Sequence, residues 1–195
     1  MKFNTSRTIG ILSIMIITTL FSFKNAEDIK GWLLAGSAPS KYEIGVEKDS
    51  ERSSKVGFLR STETKIKGDF GTIMQSFVPE EYFGKRLKLT AYIKSKDVEK
   101  WAGMWMRVDG EKGTTLSFDN MHNRPIKGTT IWKKYEIILD VPKESVNLAF
   151  GVLLSGTGSI WMDSFKFEIV TNAVPTTNKG AKEGLKKPTN TSFDN

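Results

Sequence analysis

The chain has 195 residues, a formal net charge of +7 and no cysteine. That length admits one domain with a real core but not two large ones. The lack of cysteine excludes disulfides, thiolate metal sites, a cysteine nucleophile and a lipid-carrying cysteine, so packing alone must hold the fold.

Residues 1–25 do not read as part of that core. Lys2 and Arg7 precede a largely apolar run from Ile9 to Phe23, and Lys24-Asn25-Ala26-Glu27-Asp28 follows. A basic start, an apolar stretch and a polar exit are the marks of a secretory signal. The run is short for a bilayer span, which takes roughly 20 apolar residues. No clean small-x-small pair stands before Ala26, so an uncleaved N-terminal anchor and a buried helix stay open as alternatives. Export, to a periplasm or to the outside, is the expected localisation.

From Gly31 onward the pattern is that of short strands. Candidates are Gly31–Gly36, Tyr42–Val46, Val56–Arg60, Phe70–Val78, Leu87–Lys94, Trp101–Val108 and Thr115–Phe118. Leu87, Leu89, Ala91 and Ile93 alternate with polar residues, as expected of a strand with one buried face. The last third, from Trp132 to Glu168, holds three more strand-like runs separated by V-P-K-E-S and S-G-T-G-S turn clusters, and it reads as a closing β-meander. In it, Tyr135, Ile137, Leu139 and Val141 form one buried face, with Ile138 breaking the polar side. Val146, Leu148, Phe150, Val152 and Leu154 form another, opposite small Asn147, Ala149 and Gly151, as if something packs closely there. Helical signals are confined to single turns at Pro79–Phe83 and Asp97–Lys100. The expected fold is all-β: a two-sheet antiparallel jelly-roll sandwich of about ten short strands over residues 26–170. From Thr171 to Asn195 the composition turns to Thr, Asn, Lys, Gly and Pro, which predicts a disordered polar tail. Asn190-Thr191-Ser192 within it fits a glycosylation sequon.

The charge does not point to nucleic acid. Residues 1–25 and 171–195 carry most of it, leaving +2 on residues 26–170. The one basic cluster, Lys85-Arg86-x-Lys88, sits at a strand start and reads as a guarded sheet edge. No helix is long enough for a recognition helix. Membrane contact is expected only through an uncleaved leader.

Two constellations carry chemistry. Trp101, Trp105 and Arg107 share one face of a strand, and aromatic rings with a guanidinium make a platform for a sugar ring or a carboxylate. The same residues also suit a sandwich core. Asp119-Asn120-Met121-His122-Asn123-Arg124-Pro125 concentrates hydrogen-bonding side chains after a strand end; those side chains either contact a ligand or make turns with their own backbone. His122, the only histidine, has no further nitrogen or sulfur partners for a metal. Neither a G-x-S-x-G elbow nor a recognisable carboxylate pair occurs, so no enzyme activity and no cofactor are expected.

The order Gly31-Trp32, Gly68-x-Phe70-Gly71 with Gln75-x-Phe77, Leu87-x-Leu89-x-Ala91-Tyr92-x-Lys94, Trp132-x-x-Tyr135, Val141-Pro142 and Gly158-x-Ile160-Trp161-x-Asp163-x-Phe165 resembles the jelly-roll, galactose-binding-like carbohydrate-binding modules of bacterial glycoside hydrolases. Trp101–Gly110 and Phe118–Met121 resemble a poorly characterised bacterial domain sometimes fused to transcription regulators. The resemblance implies a non-catalytic exported module binding carbohydrate or another small polar ligand on its concave face. Trp105, Arg107, Asp119, Asn120 and Arg124 would make the contacts, with Gln75 and Trp32 behind them. A protein-interaction or sensory module is the alternative. Where such modules carry paired aspartates that help hold a structural calcium, Asp163 is followed by Ser164. Calcium takes six to eight oxygens, so Asp163 is either part of a thin calcium site with Glu27 or Asp28, or a plain hydrogen-bonded aspartate.

Overall fold

The computed structural model describes residues 29–52 and 55–178. The leader, Glu27, Asp28 and the sequon lie outside them, as does the tail beyond residue 178. Among the described residues are nine strands: β1 (Leu33–Gly36), β2 (Tyr42–Lys48), β3 (Lys55–Ser61), β4 (Phe70–Phe77), β5 (Lys85–Asp109), β6 (Thr115–Asp119), β7 (Ile126–Val141), β8 (Asn147–Ser155) and β9 (Ser159–Val170). All pairings are antiparallel.

The strands form one hydrogen-bonded sheet folded over on itself through β5. Its first half, to Lys96, pairs with β7 on one side and β9 on the other, and β3 and β2 continue beyond β9. Its second half, from Trp101, pairs with β8 and β6, and β4 and β1 continue beyond β8. Two layers result, and the jelly-roll sandwich is the observed fold. The strand count falls below ten because the two runs read as Leu87–Lys94 and Trp101–Val108 are one 25-residue strand.

The two halves of β5 are out of phase. Leu87, Leu89, Ala91 and Ile93 point into the core, and so do Ala102, Met104, Met106 and Val108, so the inward positions change from odd to even. The change falls where the register with β7 shifts between Ser95 and Val98, and Asp97 there has a left-handed φ of 53°. An extra residue in one strand reverses the facing of everything after it. Asp97–Lys100 is therefore a bulged strand and not the helical turn that its sequence predicted. The other expected turn is present as a short 3₁₀ segment, Glu80–Tyr82.

Three further expectations are corrected. The last three strands are not a meander: β7 and β9 lie in one layer and β8 in the other, because turn residues mark a reversal without saying which layer receives the returning chain. Lys85-Arg86-x-Lys88 does not guard an edge, since β5 is central there, and Arg86 and Lys88 pair with Asp140 and Glu168. Val146 precedes β8 and is 44% exposed. The start of the tail is also held. Thr177 exchanges hydrogen bonds with Ile138 of β7, and Arg86 donates to the carbonyls of Asn172 and Val174. That segment lies over Ile138, which explains an apolar residue at a position expected to be polar.

The core is continuous between the layers, with Leu59, Leu89, Ile93, Met104, Ile137, Leu139, Leu148 and Leu154 fully buried. Gly71 has no room for a side chain because a Cβ there would run into the Tyr42 ring. The Tyr42 hydroxyl lies within 3.2 and 3.1 Å of the Asp69 and Gly156 carbonyls. Burial, with the nearby Asp69 charge second, pushes this phenol up to about 12.

Two outcomes follow for stability. Asp97→Val should cost about 1–2 kcal/mol, the penalty of a left-handed residue with a branched side chain, whereas Asp97→Gly should stay close to wild type; urea midpoints decide this. The raised Tyr42 value favours the protonated fold, so its contribution is complete below pH 10 and is lost as the pH rises from about 10 through 12. Absorbance at 295 nm should show a late tyrosine ionisation that is absent in Tyr42→Phe.

Candidate functional site

The outer face of the β1-β4-β8-β5-β6 layer carries a groove of about 610 Å³, within the range of small-molecule sites. Strand register sets its composition. Phe70, Ser155 and Trp101 stand in one cross-strand row, Met74, Gly151 and Trp105 in another, and Ala149, Arg107 and Phe118 in a third. Trp101 is half-buried and open to the groove, with His122 packed edge-on at 5.3 Å from its ring. Phe70 and Phe118, 37% and 44% exposed, belong to opposite sides of the groove, on β4 and β6.

Trp105 is the floor. It is only 8% exposed and packs with Ala149 and Leu153. Its Nε1 donates to the Thr72 hydroxyl at 2.8 Å, and that hydroxyl donates to the Val152 carbonyl at 2.9 Å. Since β8 lies between β5 and β4, the indole crosses β8 to reach Thr72 and packs on small Ala149, while at Gly151 a Cβ would run into the Ile73 backbone of β4. These are the small positions at which close packing was expected. Gly103 plays a similar part for the loop after β6, because a Cβ there would stand 2.7 Å from the Asn120 carbonyl.

Arg107 is the charged residue of the lining. Asp109, 7% exposed, grips its Nε at 2.8 Å and Nη2 at 3.1 Å, and Asn147 donates to the same carboxylate at 3.2 Å. At the end of the groove near Gly68, Lys41 binds Asp69 at 3.0 Å. That bond holds the Asp69 carboxyl below the usual carboxylate range and the Lys41 ammonium above its own.

Of the seven contacts expected from sequence, the structure brings three together: Trp105, Arg107 and Asn120. Asp119 faces away from the groove; it binds Arg124 at 2.7 Å and caps the Met121 amide at 2.8 Å. Arg124 also donates to the Glu136 carbonyl, beside the 174–177 segment. Both make the loop's own structure, as does Asn120 Oδ1, which accepts from the His122 amide. Gln75 falls on the inward side of β4, beside Gly31. Trp32 is half-buried against the core, packed on Phe150 at 5.5 Å and Phe165 at 5.0 Å. Sequence reasoning passed over Phe70, Thr72, Met74, Phe118 and Leu153. Their outward phase was legible, but the order of strands that unites them was not.

The opposite outer face is partly covered. Tyr92, Trp132 and Trp161 lie there half-buried, with Asp49, Glu51 and Arg52 of the segment after β2 set against it. Arg52 binds Asp163 at 2.6 Å and lies over Tyr92 and Trp132, while Lys94 binds Asp49 at 2.7 Å and Glu51 at 2.8 Å. Asp163 is thus engaged by a guanidinium and by the Ser164 amide. No cluster of three or more acidic or histidine ligands occurs among the described residues, and no helix among them is long and apolar enough to cross a membrane.

The two-layer jelly roll is a fold shared with carbohydrate-binding modules. Solved structures agree. The xylan-binding CBM22-1 domain of Paenibacillus barcinonensis Xyn10C superposes with a TM-score of 0.52 at 15% identity, over 73% of this chain and 88% of that one. The family 22 module of Clostridium thermocellum Xyn10B gives 0.51 at 13% identity, over 75% and 90%. The enzymatically active domain of bacteriophage CBA120 tailspike protein 4 gives 0.58 at 14% identity, over 74% of this chain but 20% of its own. In sequence, the chain is 47% identical over 168 residues to the uncharacterized HTH-type transcriptional regulator YbfP of Bacillus subtilis, covering 85% of this chain and 57% of the regulator's length. No family model matches. This relative fits the expected kinship with domains joined to regulators.

If the Trp105–Thr72 bond sets the floor, Thr72→Val should cost about 1–3 kcal/mol by leaving a buried indole N–H unpaired. Chemical denaturation measures the loss, and Thr72→Ser should recover most of it.

Proposed function

We propose that the chain is a non-catalytic, exported binding module that holds a glycan in the groove formed by Trp101, Trp105, Arg107, Phe118 and Asn120. The observation that carries this reading is the half-buried Trp101 ring, open to a groove that Phe70 and Phe118 also line, beside the Trp105 floor. Aromatic faces stack on the C–H faces of sugar rings, and a few placed polar groups then fix orientation. The fold shared with the xylan-binding domain supports the same ligand class. The non-catalytic part of the reading rests on the sequence, in which no carboxylate pair stands in a recognisable catalytic spacing. Export rests on the basic and apolar leader.

A second reading is favoured by the regulator named above: a sensory module whose bound sugar, or a docked polypeptide, is reported to an attached domain. Both readings use the same groove and differ in what lies beyond it.

Tryptophan fluorescence titrated with soluble xylan, galactan and glucan oligosaccharides should change with at least one of them. Trp101→Ala should weaken that binding about tenfold, by loss of one stacking contact, with the circular dichroism spectrum unchanged. No response from any glycan at millimolar concentration would remove the reading.

A further inference from the structure

The hydrogen-bonding groups that the groove leaves to a ligand are unequal in kind. The Thr72 hydroxyl is occupied on both sides, by Trp105 and by the Val152 carbonyl. The Asn120 carbonyl oxygen accepts from the His122 amide, which leaves its NH₂ free to donate. Arg107 commits Nε and one side of Nη2 to Asp109. Its Nη1 hydrogens have no partner among the described residues, and the side chain is 45% exposed. The side-chain acceptors that remain are few: the Ser155 hydroxyl, which donates to the Asp69 carbonyl at 3.4 Å, and the second lone pair of Asn120 Oδ1. Neutral sugars present hydroxyls, which ask for acceptors as well as donors. This groove offers mainly donors on an apolar floor.

Resting on the glycan reading above, we propose that the groove selects acidic glycans. A uronate carboxylate would be bound on the free edge of the Arg107 guanidinium, with sugar C–H faces against Trp101 and Phe118. A planar guanidinium matches a carboxylate, and charge-assisted bonds of this type are the stronger kind. Asp109 is the positioning residue. Buried and held by Asn147, it fixes the guanidinium plane so that Nη1 faces the ligand. It also offsets the charge, so selection comes from directed N–H groups more than from a long-range field.

The experiment uses the full chain and two probes, oligogalacturonates and glucuronate-substituted xylooligosaccharides, each with carboxyls free or reduced to hydroxymethyl groups. Calorimetry should show the carboxylate form of at least one probe binding about tenfold tighter than its reduced form, the worth of one charge-assisted bond. That ratio should fall to about one in Arg107→Gln and to an intermediate value in Arg107→Lys, which keeps the charge without the fork. A merely structural role for Arg107 would weaken both forms alike and leave the ratio unchanged, which would overturn the proposal. Equal binding of free and reduced forms by the wild type would also overturn it while leaving the glycan reading in place. So would tighter binding of neutral acetylated xylooligosaccharides than of either uronate, which would assign Arg107 to a carbonyl. Silence from every glycan, neutral or acidic, would remove both.

Discussion

Everything on the groove face depends on the single residue by which β5 changes phase. Were the alternation of Leu87, Leu89, Ala91 and Ile93 carried on unbroken, Trp101, Gly103, Trp105 and Arg107 would face the core. Met104 and Met106 would then face water. The bulge at Asp97 reverses this, burying the methionines and turning two tryptophans and an arginine outward. It also sits where β5 passes from one layer to the other, so one local distortion serves both the fold and the site. Bulges commonly re-aim side chains in this way. β9 repeats the device on a smaller scale. Its register with β5 shifts between Thr90 and Tyr92, Ser164 has a φ of 56°, and inward facing passes from Met162 to Phe165.

The two outer faces show how similar residues serve opposite ends. Each has tryptophans, an arginine and acidic partners. On the β2-β3-β9-β5-β7 layer the acids come from a hairpin connection and from neighbouring strands, and the cations pair with them while lying over the rings. That aromatic surface is partly covered, and the Arg52 and Lys94 cations on it are paired. On the other layer the acid partner of Arg107 is buried beneath it, two residues along the same strand. The guanidinium is steadied from one side and left open on the other. Trp105 is held from below by Thr72, which makes the floor stiff. A stiff floor loses little conformational entropy on binding.

The alternation of apolar residues revealed the strands, their inward faces and the sandwich, because burial on a pleated surface imposes a period of two. It also put Trp101, Trp105 and Arg107 on one face. What alternation does not carry is adjacency. Phe70, Phe118 and Leu153 line one groove with Trp101 because β4, β8, β5 and β6 are neighbours in that order, and no local pattern records an order set by long-range pairing. The polar loop after β6 misled for a different reason. Asp119, Asn120 and Arg124 are the residue types that bind ligands and equally those that close turns, and Asp119 with Arg124 does the latter. Ile138 was the reverse case, an apparent flaw in the alternation that marked the descending chain lying over it.

Likeness of fold at 13–15% identity carries over the layers and the outward positions, but not the side chains that stand there. Strand register dictates that rows of three or four residues face the same groove, whatever those residues are. Core positions must be apolar and of suitable volume, so they vary within narrow limits. Outward positions of the groove face no such demand and are free to follow a ligand. A module of this kind therefore keeps its scaffold while its chemistry changes. Here that chemistry is an arginine braced by a buried aspartate beside an open tryptophan ring, a pairing that the fold permits at those positions without requiring it.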